Sequence, residues 1–181
     1  MPAYILTGAP GSGKTAVLRL LETFGYPVVE EAATDVIALA KALGCEEPWR
    51  DPGFISEVIA LQRRRQDAVL AEPDSTMVFF DRSPVCTLAL SRYLGFAASP
   101  LLTREIERIL AEATYERTVF FIRNQGFIRP TAARRISFED SLAFEQVHEQ
   151  TYRDLGFLLV DVPAGPLADR VALVRHTAEK V

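Results

Sequence analysis

Eight consecutive residues carry the most specific chemistry in the chain: Gly8-Ala9-Pro10-Gly11-Ser12-Gly13-Lys14-Thr15. They fit the spacing G-x-x-x-x-G-K-[ST], in which each residue type has a task. The glycines allow backbone conformations that a side chain would block, turning N–H groups inward around phosphate oxygens. The lysine ammonium reaches the terminal phosphates, and the threonine hydroxyl is a ligand for Mg²⁺. A helix opening at Gly13 aims further N–H groups at the same anion. The stretch from Gly8 to Ala16 is therefore read as a nucleotide-binding P-loop.

A carboxylate at the end of a buried strand is the expected partner for the magnesium. Asp81 closes the apolar run Thr76-Met77-Val78-Phe79-Phe80 and fits that place. It also precedes Ser83-Pro84, an ordinary helix opening. Two acids, Glu30 and Glu31, follow Val28-Val29, where ligands of open parallel sheets bind. A glutamate there either accepts the proton of an attacking hydroxyl or complements a helix dipole. The residues alone leave open which of the two faces a cleft. In the stripe Ile55, Val58, Ile59, Gln62, Gln66, Val69, two amides sit on an apolar helix face. Buried amides need partners, either backbone carbonyls or a substrate.

Only three of the 20 basic residues are lysines (Lys14, Lys41, Lys180), and 17 are arginines. Five arginines and no acid fall between Arg117 and Phe138. Arg129, Arg134 and Arg135 lie in R-P-T-A-A-R-R, at a place where guanidiniums can close over a transferring phosphoryl group. Gly126 is a candidate hinge for such a lid, about residues 124–137; a solvated basic loop is the simpler alternative.

Around these residues, short apolar runs alternate with amphipathic stretches. The runs are Ala3–Thr7, Tyr26–Val29, Thr76–Phe80, Thr118–Ile122 and Phe157–Asp161. The helical patterns are Lys14–Phe24, Ala32–Leu43, Gly53–Leu70, Pro84–Leu94, Leu101–Ala113, Ser137–Leu155 and Pro166–Glu179. Strands separated by helices imply parallel crossovers and a sheet covered on both faces. The expectation is an α/β three-layer P-loop NTPase fold with a five-stranded parallel sheet in the order 2-3-1-4-5. It would occupy residues 1–181 as one domain.

Composition narrows the classes further. The 181 residues are 49% hydrophobic and 24% charged, ordinary for a globular chain. A net charge of −4 argues against a dedicated nucleic-acid binder, and no apolar run is long enough to insert into a membrane. A strand beginning at Ala3 leaves no room for a signal peptide, so a cytoplasmic location is expected. Cys45 and Cys86 lack metal-ligand spacing and are read as buried thiols. The guanine reader of GTPases, Asn-Lys-x-Asp, is missing; ATP is the expected nucleotide, with GTP left open.

The segments GAPGSGKT, VVEEAA, the helix carrying Gln62, FFDRS and the arginine-rich stretch together resemble the P-loop kinases of nucleosides. The chain is similar to the AAA-domain family that includes nicotinamide riboside kinase-like ATPases, over nearly its whole length. The resemblance to deoxynucleoside kinases implies Glu31 as the catalytic glutamate at the end of the second strand and Gln62 as the reader of a base. It implies Asp81 for the metal and Arg82 for the acceptor's reacting end, although the motif opens with Asp where those kinases have Glu. Phe54 and Trp49 are candidates to clamp a base.

The expectation is an ATP- and Mg²⁺-dependent phosphotransferase acting on a small hydroxylated, nucleoside-like acceptor. Lys14, Glu31, Arg129, Arg134 and Arg135 would be catalytic, with Glu31, Gln62, Gln66 and Arg82 toward the acceptor and Thr15 and Asp81 at the metal. The alternatives are a nucleotide-dependent binding module with a protein or lipid partner, and a monophosphate kinase using Arg50, Arg63 and Arg65. Oligomeric state is not legible.

Overall fold

A computed structural model describes residues 1–72, 77–126 and 137–180. Among these residues five strands form one sheet: β1 (Ala3–Thr7), β2 (Val28–Val29), β3 (Val78–Asp81), β4 (Thr118–Ile122) and β5 (Leu158–Val162). Every pairing is parallel, in the order β2-β3-β1-β4-β5, as the alternating pattern implied. β1 lies at the centre, with Ile5 beside Phe80 on one side and Val119 on the other. Its five residues are all buried, which explains why YILT reads as continuous rather than alternating.

Among the described residues, seven α-helices cover the two faces: α1 (Lys14–Thr23), α2 (Ala32–Ala42), α3 (Gly53–Leu70), α4 (Pro84–Tyr93), α5 (Pro100–Ala111), α6 (Phe138–Asp154) and α7 (Leu167–Ala178). Side-chain alternation along the strands separates two cores. Ile5, Val78, Phe80 and Val119 pack against α2 to α6 on one face. Tyr4, Leu6, Phe79 and Phe120 pack against α1 and α7 on the other.

The boundaries differ from the sequence reading where hydrogen bonds are claimed elsewhere. β2 is two residues long, because it is an edge strand paired with β3 alone. β5 starts at Leu158, since the Phe157 N–H donates to the Tyr152 carbonyl at the end of α6. A 3₁₀ turn at Pro48–Arg50, absent from the sequence reading, carries Trp49. Thr76, the expected start of the third strand, lies outside the described residues. Cys86 is buried as expected, but Cys45 is exposed, because it follows the end of α2 at the surface. Among the described residues, no helix is long and apolar enough to cross a membrane.

Candidate active site

The P-loop joins the C-terminal end of β1 to α1. Gly8, Gly11 and Gly13 all have positive φ, at 131°, 83° and 90°. At Gly8 the requirement is also steric, because a Cβ would stand 2.3 Å from the Ile122 carbonyl oxygen. Ala9 and Ser12 are buried, and the Ser12 N–H donates to the Ala9 carbonyl at 3.2 Å. Lys14 is buried, and its Nζ donates to the Gly8 and Ala9 carbonyls at 3.1 Å each. The ammonium is thus folded back over the loop. Ala16 lies in the exposed first turn of α1.

Asp81 ends β3 beside the loop, and Thr15 Oγ1 donates to its Oδ2 at 3.5 Å. A hydroxyl and a carboxylate at this separation are hard oxygen donors that suit Mg²⁺. Among the described residues no three His, Cys, Asp or Glu side chains gather into a metal cluster. The donor set therefore fits an ion shared with nucleotide phosphates rather than an all-protein cage.

Next to the loop lies a cavity of about 660 Å³. Pro10 of the P-loop, Glu31, Gln62 and Arg82 all line it, so three residues singled out from distant segments meet at one place. Glu31 precedes α2 and forms an ion pair with the Arg82 guanidinium. It also accepts from Thr34 Oγ1 at 3.0 Å. Glu30 points away: its carboxylate pairs with Arg19 and its carbonyl accepts from Arg65. Glu31 is therefore the acid that faces the cleft. Gln62 Oε1 accepts from Thr87 Oγ1 at 2.9 Å, leaving its amide nitrogen as the donor on offer.

Gln66, expected beside Gln62 at the substrate, is turned elsewhere. Its Oε1 accepts from Arg108, within a network that includes Glu105 and Tyr115, and it does not line the cavity. One helical turn separates the amides along α3, enough for Gln62 to meet α4 and Gln66 to meet α5. Arg50, Arg63 and Arg65 do not line the cavity either; each pairs with acids outside it. Trp49 and Phe54 do line it, joined by Tyr93 and Phe144, which meet edge-to-face at 4.9 Å between ring centroids.

Arg82 is held in three ways. Its φ of 74° is a left-handed conformation that costs a non-glycine residue energy. Its N–H donates to the Leu6 carbonyl at 3.0 Å, extending the β1–β3 ladder. Its guanidinium meets Glu31 on one side and His148 Nε2 on the other, the latter at 3.1 Å. His148 Nδ1 faces the Phe144 carbonyl at 2.9 Å. A carbonyl only accepts, so Nδ1 carries the proton and Nε2 receives the arginine N–H. Burial, reinforced by Arg82, holds the imidazole well below its usual pKa and so keeps it neutral. Burial opposes the Arg82 charge, but Glu31 and Asp81 outweigh it and raise the guanidinium pKa.

His148, Tyr93 and Phe144 carry no local signal in the sequence, because each reaches the site only through tertiary packing. Arg129, Arg134 and Arg135 lie outside the described residues. Gly126 has φ 81°, and its N–H donates to Asn124 Oδ1 at 2.9 Å. Two other arginines of the basic window are structural. Arg123 pairs with Glu145, Glu149 and Asp161, and Arg117 donates to the Leu155 carbonyl.

Sheet order and glycine loop together define a P-loop NTPase fold. Residues 3–170 match a family model described as an AAA domain, and the chain belongs to that family. Comparison with curated proteins finds no match. Among solved structures, NadR in complex with NAD and AMP-PNP has a TM-score of 0.69 at 16% identity, covering 98% of this chain and 49% of that one. NadR in complex with NR gives 0.61 at 18% identity, covering 89% and 43%. Deoxyadenosine kinase from M. mycoides, with dCMP and a flexible dCDP bound, gives 0.59 at 13% identity, covering 99% and 100%. The chain thus spans about half the length of the NadR chains. At these identities the likeness is one of fold.

Proposed function

We propose that the chain is an ATP- and Mg²⁺-dependent phosphotransferase whose acceptor is small, hydroxylated and nucleoside-like. The observation that carries this reading is the convergence of Glu31, Gln62 and Arg82 on one cavity beside the P-loop. A site for hydrolysis alone would have no use for such a cavity. Its body is apolar and aromatic, with Ile37, Trp49, Phe54, Val58, Tyr93 and Phe144, which suits a flat ring. The Glu31–Arg82 pair and the Gln62–Thr87 pair supply its polar contacts. The outward pairing of Arg50, Arg63 and Arg65 favours an acceptor without a phosphate of its own.

In this reading the loop from Gly8 to Ala16, through its backbone N–H groups (Pro10 has none), and the Lys14 ammonium bind the phosphates of ATP. Thr15 and Asp81 would hold Mg²⁺, which would neutralise charge on the phosphate oxygens. Arg82 orients the acceptor's reacting end, and Gln62 donates to its ring. Glu31 accepts the proton of the acceptor hydroxyl as that oxygen bonds to the terminal phosphorus. The bond from that phosphorus to its bridging oxygen breaks, and ADP leaves. Arg129, Arg134 and Arg135 would cover the charge that develops. The NR bound to NadR, and the dCMP and dCDP bound as products to deoxyadenosine kinase, are consistent with a nucleoside-like acceptor.

A screen of nucleosides, sugars and their monophosphates for ADP formation tests the proposal. Acceptor-dependent ADP release with unphosphorylated nucleosides is expected. Slow turnover indifferent to every acceptor would overturn it in favour of a nucleotide-dependent binding module.

A further inference from the structure

Arg170 is a charged side chain in an unfavourable setting. It is 5% exposed, and burial pulls its pKa down with no carboxylate to offset it. It also sits in the first turn of α7, where the helix dipole disfavours a cation. Such a charge is normally paired with an acid, yet among the described residues Arg170 forms no ion pair. Instead its fork is spent on neutral oxygens. Nη1 donates to the Ser12 carbonyl at 2.9 Å and Nη2 to the Arg123 carbonyl at 3.0 Å. With its amide oxygen turned toward Arg170, Gln125 accepts from both. Nε has no partner.

What Arg170 touches gives this arrangement its meaning. Ser12 and Gly13 are the heart of the P-loop, and a Cβ on Gly13 would stand 2.9 Å from Arg170 Nη1. The guanidinium therefore packs directly against the loop from the side of α7, while the Lys14 ammonium lies over the Gly8 and Ala9 carbonyls. By accepting from Arg170, the Ser12 carbonyl polarises the Ser12–Gly13 peptide, whose N–H lies antiparallel to that carbonyl and so carries its positive end away from Arg170. An anion in the cradle would supply the countercharge that no carboxylate among the described residues does.

We propose that Arg170 is a positioning residue for nucleotide phosphates: it fixes the Ser12–Gly13 peptide and adds a buried positive charge behind it. The inference rests on the P-loop being the nucleotide site, and it assigns part of that site's affinity to a helix at the far end of the chain. The effect acts on the polyphosphate, not on the base or ribose.

The test is a calorimetric titration of wild type, R170M and R170K with Mg-ATP, Mg-ADP and inorganic tripolyphosphate. The unliganded melting temperature of each variant is recorded alongside. Loss of one buried charge close to the ligand is expected to weaken all three ligands about tenfold in R170M. R170K, which keeps the charge but loses the fork, should fall between R170M and wild type. If R170M does not fold, R170K carries the test with the same direction expected. Unchanged dissociation constants with only a lowered melting temperature would make Arg170 a structural strut and overturn the inference. Weakened ATP with unchanged tripolyphosphate would overturn it too, by placing Arg170 at the nucleoside. Failure of the wild type to bind any of the three would overturn the nucleotide reading itself, and this inference with it.

Discussion

Replacing Glu31 with Gln separates what this residue does for the fold from what it does for chemistry. Its carboxylate and the Arg82 guanidinium are 15% and 9% exposed, so their ion pair is largely withdrawn from water. Breaking a fully buried pair costs about 3–5 kcal/mol. The remaining exposure and the amide oxygen of glutamine offset part of that, which leaves roughly 2 kcal/mol. For a chain of this size that corresponds to a fall of about 4–8 °C in melting temperature. Phosphotransfer should drop about 10²–10⁴-fold in kcat, the usual contribution of a general base, with KM for ATP unchanged. Scanning calorimetry and a coupled ADP assay with the best acceptor read the two effects. Adding Arg82→Met to the first variant should restore part of the stability, by removing the stranded cation, and none of the activity. A variant that transfers phosphate at the parental rate would refute the role of Glu31, whatever its melting temperature.

Three further outcomes follow from the geometry. The unfolded chain takes up a proton on His148 near pH 6.5 that the native state refuses. Stability should therefore be full above that pH and fall below it, by up to about 1.4 kcal/mol per unit. Melting temperatures from pH 7.5 to 5 should fall less steeply in H148Q; an equal slope excludes His148 as the cause. Gly8→Ala forces a methyl to 2.3 Å from the Ile122 carbonyl at a φ of 131°. It should abolish ATP binding and cost roughly 2–4 kcal/mol in denaturant titration. Gln62→Leu removes the bond from Thr87 and should raise KM for a nucleoside acceptor about tenfold, leaving KM for ATP alone.

The P-loop was legible because its demands are local: positive φ at fixed spacing, then a lysine and a hydroxyl. β1 and β4 kept their expected bounds, since buried central strands read as unbroken apolar runs. Glu30 and Glu31 could not be told apart, because adjacent residues at a strand end face opposite ways and the cleft side is a tertiary fact. Helical periodicity placed Gln62 and Gln66 on one face but fixed only an angle around α3, not the neighbour at each level. The charge window around Arg123 was misleading in another way, because its acids arrive from α6 and β5. His148 and Arg170 left no trace at all. Their contacts with Arg82 and Ser12 cross 66 and 158 residues of chain.

The left-handed backbone at Arg82 bears on how this protein would respond to selection. A glycine there would relax the turn, while losing the grip on Glu31 and His148 together with the buried charge they enclose. Backbone comfort and the proposed grip on the acceptor thus pull in opposite directions at one position. A library at residues 31 and 82 screened for heat resistance alone should enrich glycine or asparagine at 82 only where Glu31 is neutralised too. A carboxylate stranded without the guanidinium costs more than the strain relieved. Those survivors should no longer transfer phosphate. Screened for turnover, the same library should return arginine and tolerate its strain.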